Sequence, residues 1–394
     1  MREVAIIGAG MTKFGKHTRR AFDDLGAEAC QKALDSAKVD RKDIQAGYCG
    51  TTGGVGAMHQ TLRNIGILGI PISRVENGCA TGSTCLREAY ISIASGLFDL
   101  VIAMGIEKMY GASMGEVTGS QVAILLDMKA VDLDAKLMSF GAVSLPGVFA
   151  LMANRHCYQY GTTYEQIAQV AVKNHNNGAK NPNAQHQKER TLEEIMDPNT
   201  PDNKLISTPL TKLQCCPITD GAAAIILASE DIAKKYTDSP VYIAASYQVS
   251  SASEYPTEDW LSFEQTRRCA KGAYQMAGIE PKDITLAAVH DCFSPAELIH
   301  YEDLGFCKKG EGGKMIEEGE TELNGRVSVN TDGGLLARGH PLGATGIAMT
   351  AEIFWQFQGE AEKRQVDTIK YALQQNMGWP AAGLSQLIHI FKQK

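Results

Sequence analysis

The stretch Ala33-Leu34-Asp35-Ser36-Ala37-Lys38-Val39-Asp40-Arg41-Lys42-Asp43-Ile44 returns, 240 residues on, as Ala273-Tyr274-Gln275-Met276-Ala277-Gly278-Ile279-Glu280-Pro281-Lys282-Asp283-Ile284. Each copy reads as the end of an amphipathic helix, a turn opened by an acidic residue, and entry into an apolar strand. The flanking pattern agrees. In the first part it predicts a strand at Val4–Ile7, a helix over 21–37, strands at 46–51 and 72–76, a helix over 81–95 and a strand at 100–105. In the second it predicts strands at 241–245 and 284–289, helices over 263–277 and 295–304, a strand at 326–329, a helix over 341–357, and strands at 369–375 and 385–391. Alternating strands and helices of this kind are the signature of an α/β fold. The matched order implies two duplicated lobes, with chemistry expected where strand ends meet helix N-termini.

Between the lobes, Tyr110–Leu213 is richer in Met, Asn and Gln and carries helix patterns over 145–160 and 164–178 without alternating strands. It reads as a helical cap over the strand ends. Asp220–Leu227 then returns to the first lobe as a buried strand. The predicted division is therefore residues 1–109 plus 214–237 for the N-terminal lobe, 110–213 for the cap, and 238–394 for the C-terminal lobe. The Gly-rich, charged segment Lys308–Glu322 is expected to be a mobile surface loop. Gly8-Ala9-Gly10 reads as a tight turn. A dinucleotide site would need a third glycine where Lys13 stands, and an acidic residue where Thr51-Thr52 end the second strand.

Composition narrows the function. With 394 residues, 44% of them hydrophobic, the chain can bury a large core and is not predominantly disordered. A net charge of −7 without a basic block argues against nucleic-acid binding. No uninterrupted apolar run approaches the roughly 18 residues of a membrane span. The opening MREVAIIGAG reads as a strand rather than a secretory signal. The 10 cysteines are too dilute for a disulfide scaffold, and Cys215-Cys216 are adjacent and cannot both face one metal. A reducing cytoplasm and no metal are the expectation.

Four segments carry candidate chemistry. In Asn77-Gly78-Cys79-Ala80-Thr81-Gly82-Ser83, Cys79 stands at a strand–helix elbow. There a helix N-terminus can lower a thiol pKa to about 3.5–7.5, and small neighbours leave room for a substrate. Taken alone, a buried structural cysteine at a tight turn is the plainer account. His290-Asp291-Cys292-Phe293 follows a buried strand, with His290 and Cys292 at i and i+2 on one side. Taken alone, a core histidine beside a buried thiol reads as well as a catalytic pair. Gly339-His340-Pro341-Leu342-Gly343-Ala344-Thr345-Gly346 places His340 at a second elbow, as base or as cap. Gln375-Asn376-Met377-Gly378 closes a strand with a glycine whose N–H can approach a substrate, or that simply turns the chain.

These segments, in this order, resemble those of the thiolase superfamily over essentially the whole chain. The H-D-C-F segment at 290–293 is similar to that of the sterol-carrier-protein-type thiolases and their bacterial and archaeal acetyl-CoA acetyltransferase relatives. Many thiolases carry an acid/base cysteine in a C-x-G motif. Here the matching residues are Asn376-Met377-Gly378, and the resemblance implies that Cys292 takes over. It further implies a five-layer αβαβα fold with a cap. The implied activity is cleavage of a 3-oxoacyl-CoA by CoA through an acyl-Cys79 intermediate, or the reverse Claisen condensation. His340 would be the base, His290 and His340 one oxyanion hole, and the Cys79 and Gly378 N–H groups a second. Coenzyme A would be a substrate, with no metal or redox cofactor. A homodimer or tetramer is implied, along with a small zinc-ribbon/OB-fold accessory protein that helps hold CoA.

A ketosynthase-type condensing enzyme, which needs no second acid/base thiol, is the alternative within the fold; a non-catalytic acyl-CoA or lipid-binding scaffold is the alternative outside enzymes. Met109, Met114, Met128, Met138, Phe140, Phe149 and Met152 read as cap-core packing or as a roomy acyl pocket. The pocket reading suits a bulky or aromatic substrate such as benzoylsuccinyl-CoA.

Overall fold

The computed structural model describes residues 2–53, 56–110, 145–250, 261–378 and 385–394. Its strands are β1 (Val4–Met11), β2 (Ala46–Gly50), β3 (Ile72–Val75), β4 (Leu100–Glu107), β5 (Leu205–Ser207), β6 (Leu210–Thr211), β7 (Gly221–Ser229), β8 (Val241–Val249), β9 (Ile284–Ala288), β10 (Ser328–Val329), β11 (Tyr371–Met377) and β12 (Gln386–Lys392). β5 and β6 make a small hairpin, and the other ten join one mixed sheet in the order β10-β9-β11-β12-β8-β1-β7-β4-β2-β3.

Read outward from the middle, the two halves of this sheet repeat. β1-β7-β4-β2-β3 pair antiparallel, antiparallel, parallel and parallel. β8-β12-β11-β9-β10 follow the same sequence of pairings. The halves meet where Ala5 faces Tyr242 and Ile6 faces Val241. The repeated junction in the sequence becomes two single-turn 3-10 segments, Arg41–Asp43 and Pro281–Asp283, leading into β2 and β9.

Helix Phe22–Ala37 covers β1 and β7, and helix Glu264–Ala277 covers β8 and β12 in the same way. Between the half-sheets lie helices Thr81–Ala94 and Leu342–Gln358, packed on each other, the latter touching β1, β4 and β7 as well as β9 and β11. The result is an αβαβα stack. Only Trp355, Phe357 and Gln358 of the second central helix escape burial, as expected of a helix apolar on all sides. The two helices cross at glycines: a Cβ on Gly346 would stand 2.2 Å from the Ser83 nitrogen, and one on Gly82 would stand 2.7 Å from the Gly346 nitrogen.

Two expectations are corrected. Gly8 and Gly10 form no turn; they lie inside β1, where a Cβ would come within 2.6 Å of Ala33 and Ala37 on the covering helix. Segment 308–322 is not a loose loop either. It contains helix Gly312–Glu317, whose Met315 and Ile316 are buried and which packs on helices Tyr164–Ala179 and Ser294–Asp303. Its glycines suggested mobility, whereas its two apolar side chains decide the outcome.

Within 145–213, helices Leu145–Tyr160 and Tyr164–Ala179 form as predicted, the second started by Thr163, which accepts from the Gln166 N–H. Helix Leu192–Met196 and the β5–β6 hairpin were not anticipated, nor were helices Ala57–Asn64 and Glu230–Tyr236. Met114, Met128, Met138 and Phe140 lie outside the described residues. Among the described residues, no helix is long and apolar enough to cross a membrane.

Candidate active site

Cys79 sits in a 3-10 turn, Gly78–Ala80, between β3 and the first central helix. Side chains lock that turn. The Gly78 N–H donates to Glu76 Oε1 (2.6 Å), the Asn77 N–H to Thr81 Oγ1 (2.8 Å), and the Thr81 hydroxyl to the Gly78 carbonyl (2.6 Å). His290 and Cys292 follow β9. Between them, Asp291 accepts from the N–H groups of Leu335 (2.7 Å) and Leu336 (3.2 Å) and from Asn174 of helix Tyr164–Ala179 (2.7 Å). His340 follows Gly339, whose φ of +112° is open to glycine, and its own N–H donates to Thr219 Oγ1 at 3.1 Å.

The fold brings these distant residues together. The Cys79 sulfur and one ring nitrogen from each of His290 and His340 lie within 4.8 Å of one another. The two imidazoles meet edge to face, with centroids 5.2 Å apart at 83°. Cys79, His290, Cys292, His340 and Gly378 line a single cleft, joined by Met109, Phe149 and Cys216. Met152 packs in the core instead.

Hydrogen bonding assigns the two histidines opposite states. His290 Nδ1 faces Asn376 Nδ2 at 3.0 Å, and the Asn376 oxygen accepts from the Ser83 hydroxyl at 2.9 Å. Ser83 in turn accepts from Gln374 at 2.7 Å. That chain makes Asn376 the donor, so the His290 proton sits on Nε2. At His340, Nδ1 lies 2.8 Å from Thr345 Oγ1, whose own proton goes to the Pro341 carbonyl at 3.0 Å. His340 therefore donates from Nδ1 and keeps a bare lone pair on Nε2, a buried atom without a protein partner. One imidazole presents a donor, the other an acceptor. Three such atoms would suit a metal in outline, but the His290 lone pair is already spent on Asn376.

Burial sets the resting charges. It pushes the Cys79 thiol up to about 12, with Glu107 and Glu76 adding to the effect and the local backbone N–H opposing it. This reverses the lowered value expected from the helix N-terminus: removal from water and two carboxylates outweigh the helix end. Burial holds His290 down to about 3, with Arg338 contributing, and holds His340 well below the usual histidine range, with His290 and Arg338 contributing. Cys292 is pushed well up by burial, then by Cys216, Cys79 and Asp291. The resting cleft is a neutral thiol beside neutral imidazoles.

Residues 4–231 match the thiolase N-terminal domain and residues 246–393 the thiolase C-terminal domain. The chain belongs to the thiolase family. It is 41% identical to an acetyl-CoA acetyltransferase of Methanothermobacter thermautotrophicus, across the full length of both chains. It is 39% identical to human sterol carrier protein 2, covering 96% of this chain and 70% of that one. Identity is 34% to the benzoylsuccinyl-CoA thiolase subunit BbsB of Thauera aromatica, covering 93% and 92%. Among solved structures, the Ltp2-ChsH2(DUF35) aldolase superposes with a TM-score of 0.81 at 26% identity, covering 98% of this chain and 97% of that one. This thiolase is thus an acyltransferase whose chemistry uses coenzyme A.

Within the thiolase cleft, one expected group is differently engaged. The Gly378 N–H donates to the Ser385 carbonyl at 2.8 Å, so the free donor anticipated there is occupied. Several residues went unread in the sequence. Asn376 and Thr345, which set the histidine tautomers, look like ordinary strand and helix polar residues. Glu107 accepts from the Thr52 N–H (3.0 Å), the Thr52 hydroxyl (2.8 Å) and the Gly343 N–H (3.1 Å), tying β4 to the His340 turn. Its one signal was a carboxylate ending an otherwise apolar strand. Cys216 was set aside with Cys215 as an unsuitable metal pair, yet it reaches the cleft.

Proposed function

We propose that this thiolase cleaves a 3-oxoacyl-CoA with CoA through an acyl-Cys79 intermediate, and runs the reverse Claisen condensation through the same groups. The observation that carries this reading is the Cys79 sulfur within 4.8 Å of a His340 ring nitrogen, on a ring whose Nε2 has no protein partner. The Cys79 proton moves to that lone pair, turning a thiol too basic to ionise alone into a thiolate at the moment of attack. The thiolate adds to the ketone carbon, and the Cα–Cβ bond breaks to leave an acyl-Cys79 and a thioester enolate. His290 Nε2–H and the newly protonated His340 then both donate to the enolate oxygen. Cys292 protonates the enolate carbon, and afterwards accepts the thiol proton of incoming CoA. The Cys79 N–H contributes to the second oxyanion hole; Gly378 joins it by exchanging its bond to Ser385. The chemistry of this donor set calls for no metal or redox cofactor.

A ketosynthase-type reaction uses Cys79, His290 and His340 but not Cys292, so Cys292→Ala separates the two. Loss of thiolysis supports the thiolase reaction, and full retention supports the alternative. Division into lobes 1–109 plus 214–237 and 238–394 with a cap over 110–213 belongs to the same proposal, as does a homodimer or tetramer. Met109 and Phe149 in the cleft favour a bulky or aromatic acyl group, and the likeness to a benzoylsuccinyl-CoA thiolase subunit makes that substrate the first to assay. The likeness to a DUF35-containing aldolase complex supports a small zinc-ribbon/OB-fold accessory protein that helps hold CoA. All ten cysteines are unpaired, which supports a reducing, cytoplasmic setting. CoA-dependent loss of a panel of 3-oxoacyl-CoAs, with and without such a partner, tests the reading; no turnover of any member refutes it.

A further inference from the structure

The reaction leaves one cleft thiol without a task. Cys215 and Phe293 form an isolated antiparallel bridge, which sets Cys216 directly opposite Cys292. The Cys216 N–H donates to the Cys292 carbonyl at 3.0 Å. Hydrogen-bonded antiparallel partners have Cα atoms about 5.5 Å apart and side chains on the same side, with Cβ atoms about 4.5–5.5 Å apart. A disulfide accepts Cα separations of about 4.4–6.8 Å and prefers Cβ atoms near 3.8 Å, so from the wider spacing of a hydrogen-bonded pair the two Cβ atoms must close by roughly 1–2 Å. Both side chains line the cleft and both thiols are free.

We propose that Cys216 and Cys292 are a pair that hydrogen peroxide closes into a reversible disulfide. Burial keeps both thiols protonated, so oxidation is slow and one sulfur attacks hydrogen peroxide only as it gives up its proton: the S–O bond forms, the O–O bond breaks, and the departing hydroxide carries that proton off as water. The second sulfur attacks the resulting sulfenic acid. The S–S bond forms, the S–O bond breaks, and a second water carries off the remaining thiol proton. Two thiols and one peroxide thus become one disulfide and two waters. The consequence for activity rests on the reading of Cys292 as the acid/base, since the bond removes its proton.

The test treats the full chain with hydrogen peroxide, alkylates remaining thiols and maps peptides by mass, while activity is followed before and after dithiothreitol. The expected result is a Cys216–Cys292 linked peptide, activity lost in proportion to the linked fraction, and recovery of that fraction on reduction. Cys216→Ser, compared with its own untreated activity, should show neither the linked peptide nor the dithiothreitol-reversible loss. Alkylated Cys216 and Cys292 after treatment, or Cys292 linked to Cys79 instead, would overturn the proposal. A linked peptide with undiminished activity would uphold the bond and refute the acid/base role of Cys292.

Discussion

At the level of single residues, the account turns on where two protons lie. His290 donates because Asn376 occupies its Nδ1, and His340 accepts because Thr345 holds its Nδ1–H. Removing a well-placed oxyanion donor typically costs about 10²–10³ in rate. His290→Ala should therefore lower kcat by about that factor in steady-state thiolysis, while Asn376→Leu, which frees the tautomer and takes the acceptor from the Ser83 hydroxyl, should lower it less. The neutral resting thiol makes a second prediction. Because Cys79 is pushed up to about 12, iodoacetamide labelling of that residue should climb steadily with pH, without levelling off below about pH 9. A plateau near neutrality would mean that the thiolate pre-exists. That Cys79, His290, Cys292 and His340 were candidates was legible in the sequence, because small residues and strand ends frame them, while their roles came from the resemblance. Their charges were not: burial, Glu107 and Glu76 act on Cys79 only once the chain is folded.

At the level of elements, the central helices position the chemistry, since the first begins at the Cys79 turn and the second at the His340 turn. Their separation is fixed by Gly82 against Gly346. Gly346→Ala would force the backbones apart, an overpacking worth about 1–3 kcal/mol or more. It should lower the denaturation midpoint and, by parting Cys79 from His340, lower kcat as well. An unchanged midpoint and kcat would show that the crossing tolerates a Cβ. Helices and strands were readable from periodicity, and the repeated junction before β2 and β9 disclosed the duplication. Gly8, Gly10 and segment 308–322 were misread for one reason: local sequence does not reveal which neighbour packs against a glycine.

For the whole molecule, acid stability follows from the buried imidazoles. Burial holds His175 down to about 4 and His290 and His389 down to about 3. In the unfolded chain each regains its ordinary value near 6.5, so between those values the unfolded state binds more protons. Stability present above pH 6.5 is thus lost as pH falls toward 4, at roughly 1 kcal/mol per pH unit for each histidine. Thermal melts should show Tm falling from pH 6.5 to 5, a fall softened by Asp291, which burial and Glu297 push up to about 8 and which acts in the opposite direction. Joining two half-sheets around one cleft is also what lets Cys79 meet His340, and the acyl-enzyme tests that meeting most directly. Mixing the protein with a turned-over 3-oxoacyl-CoA in the absence of added CoA, followed by intact-mass and peptide analysis, should reveal an acyl group on Cys79. Added CoA should discharge it, and the adduct should be lacking in His340→Ala. Turnover with no adduct on Cys79, or an adduct that forms equally well without His340, would contradict the account.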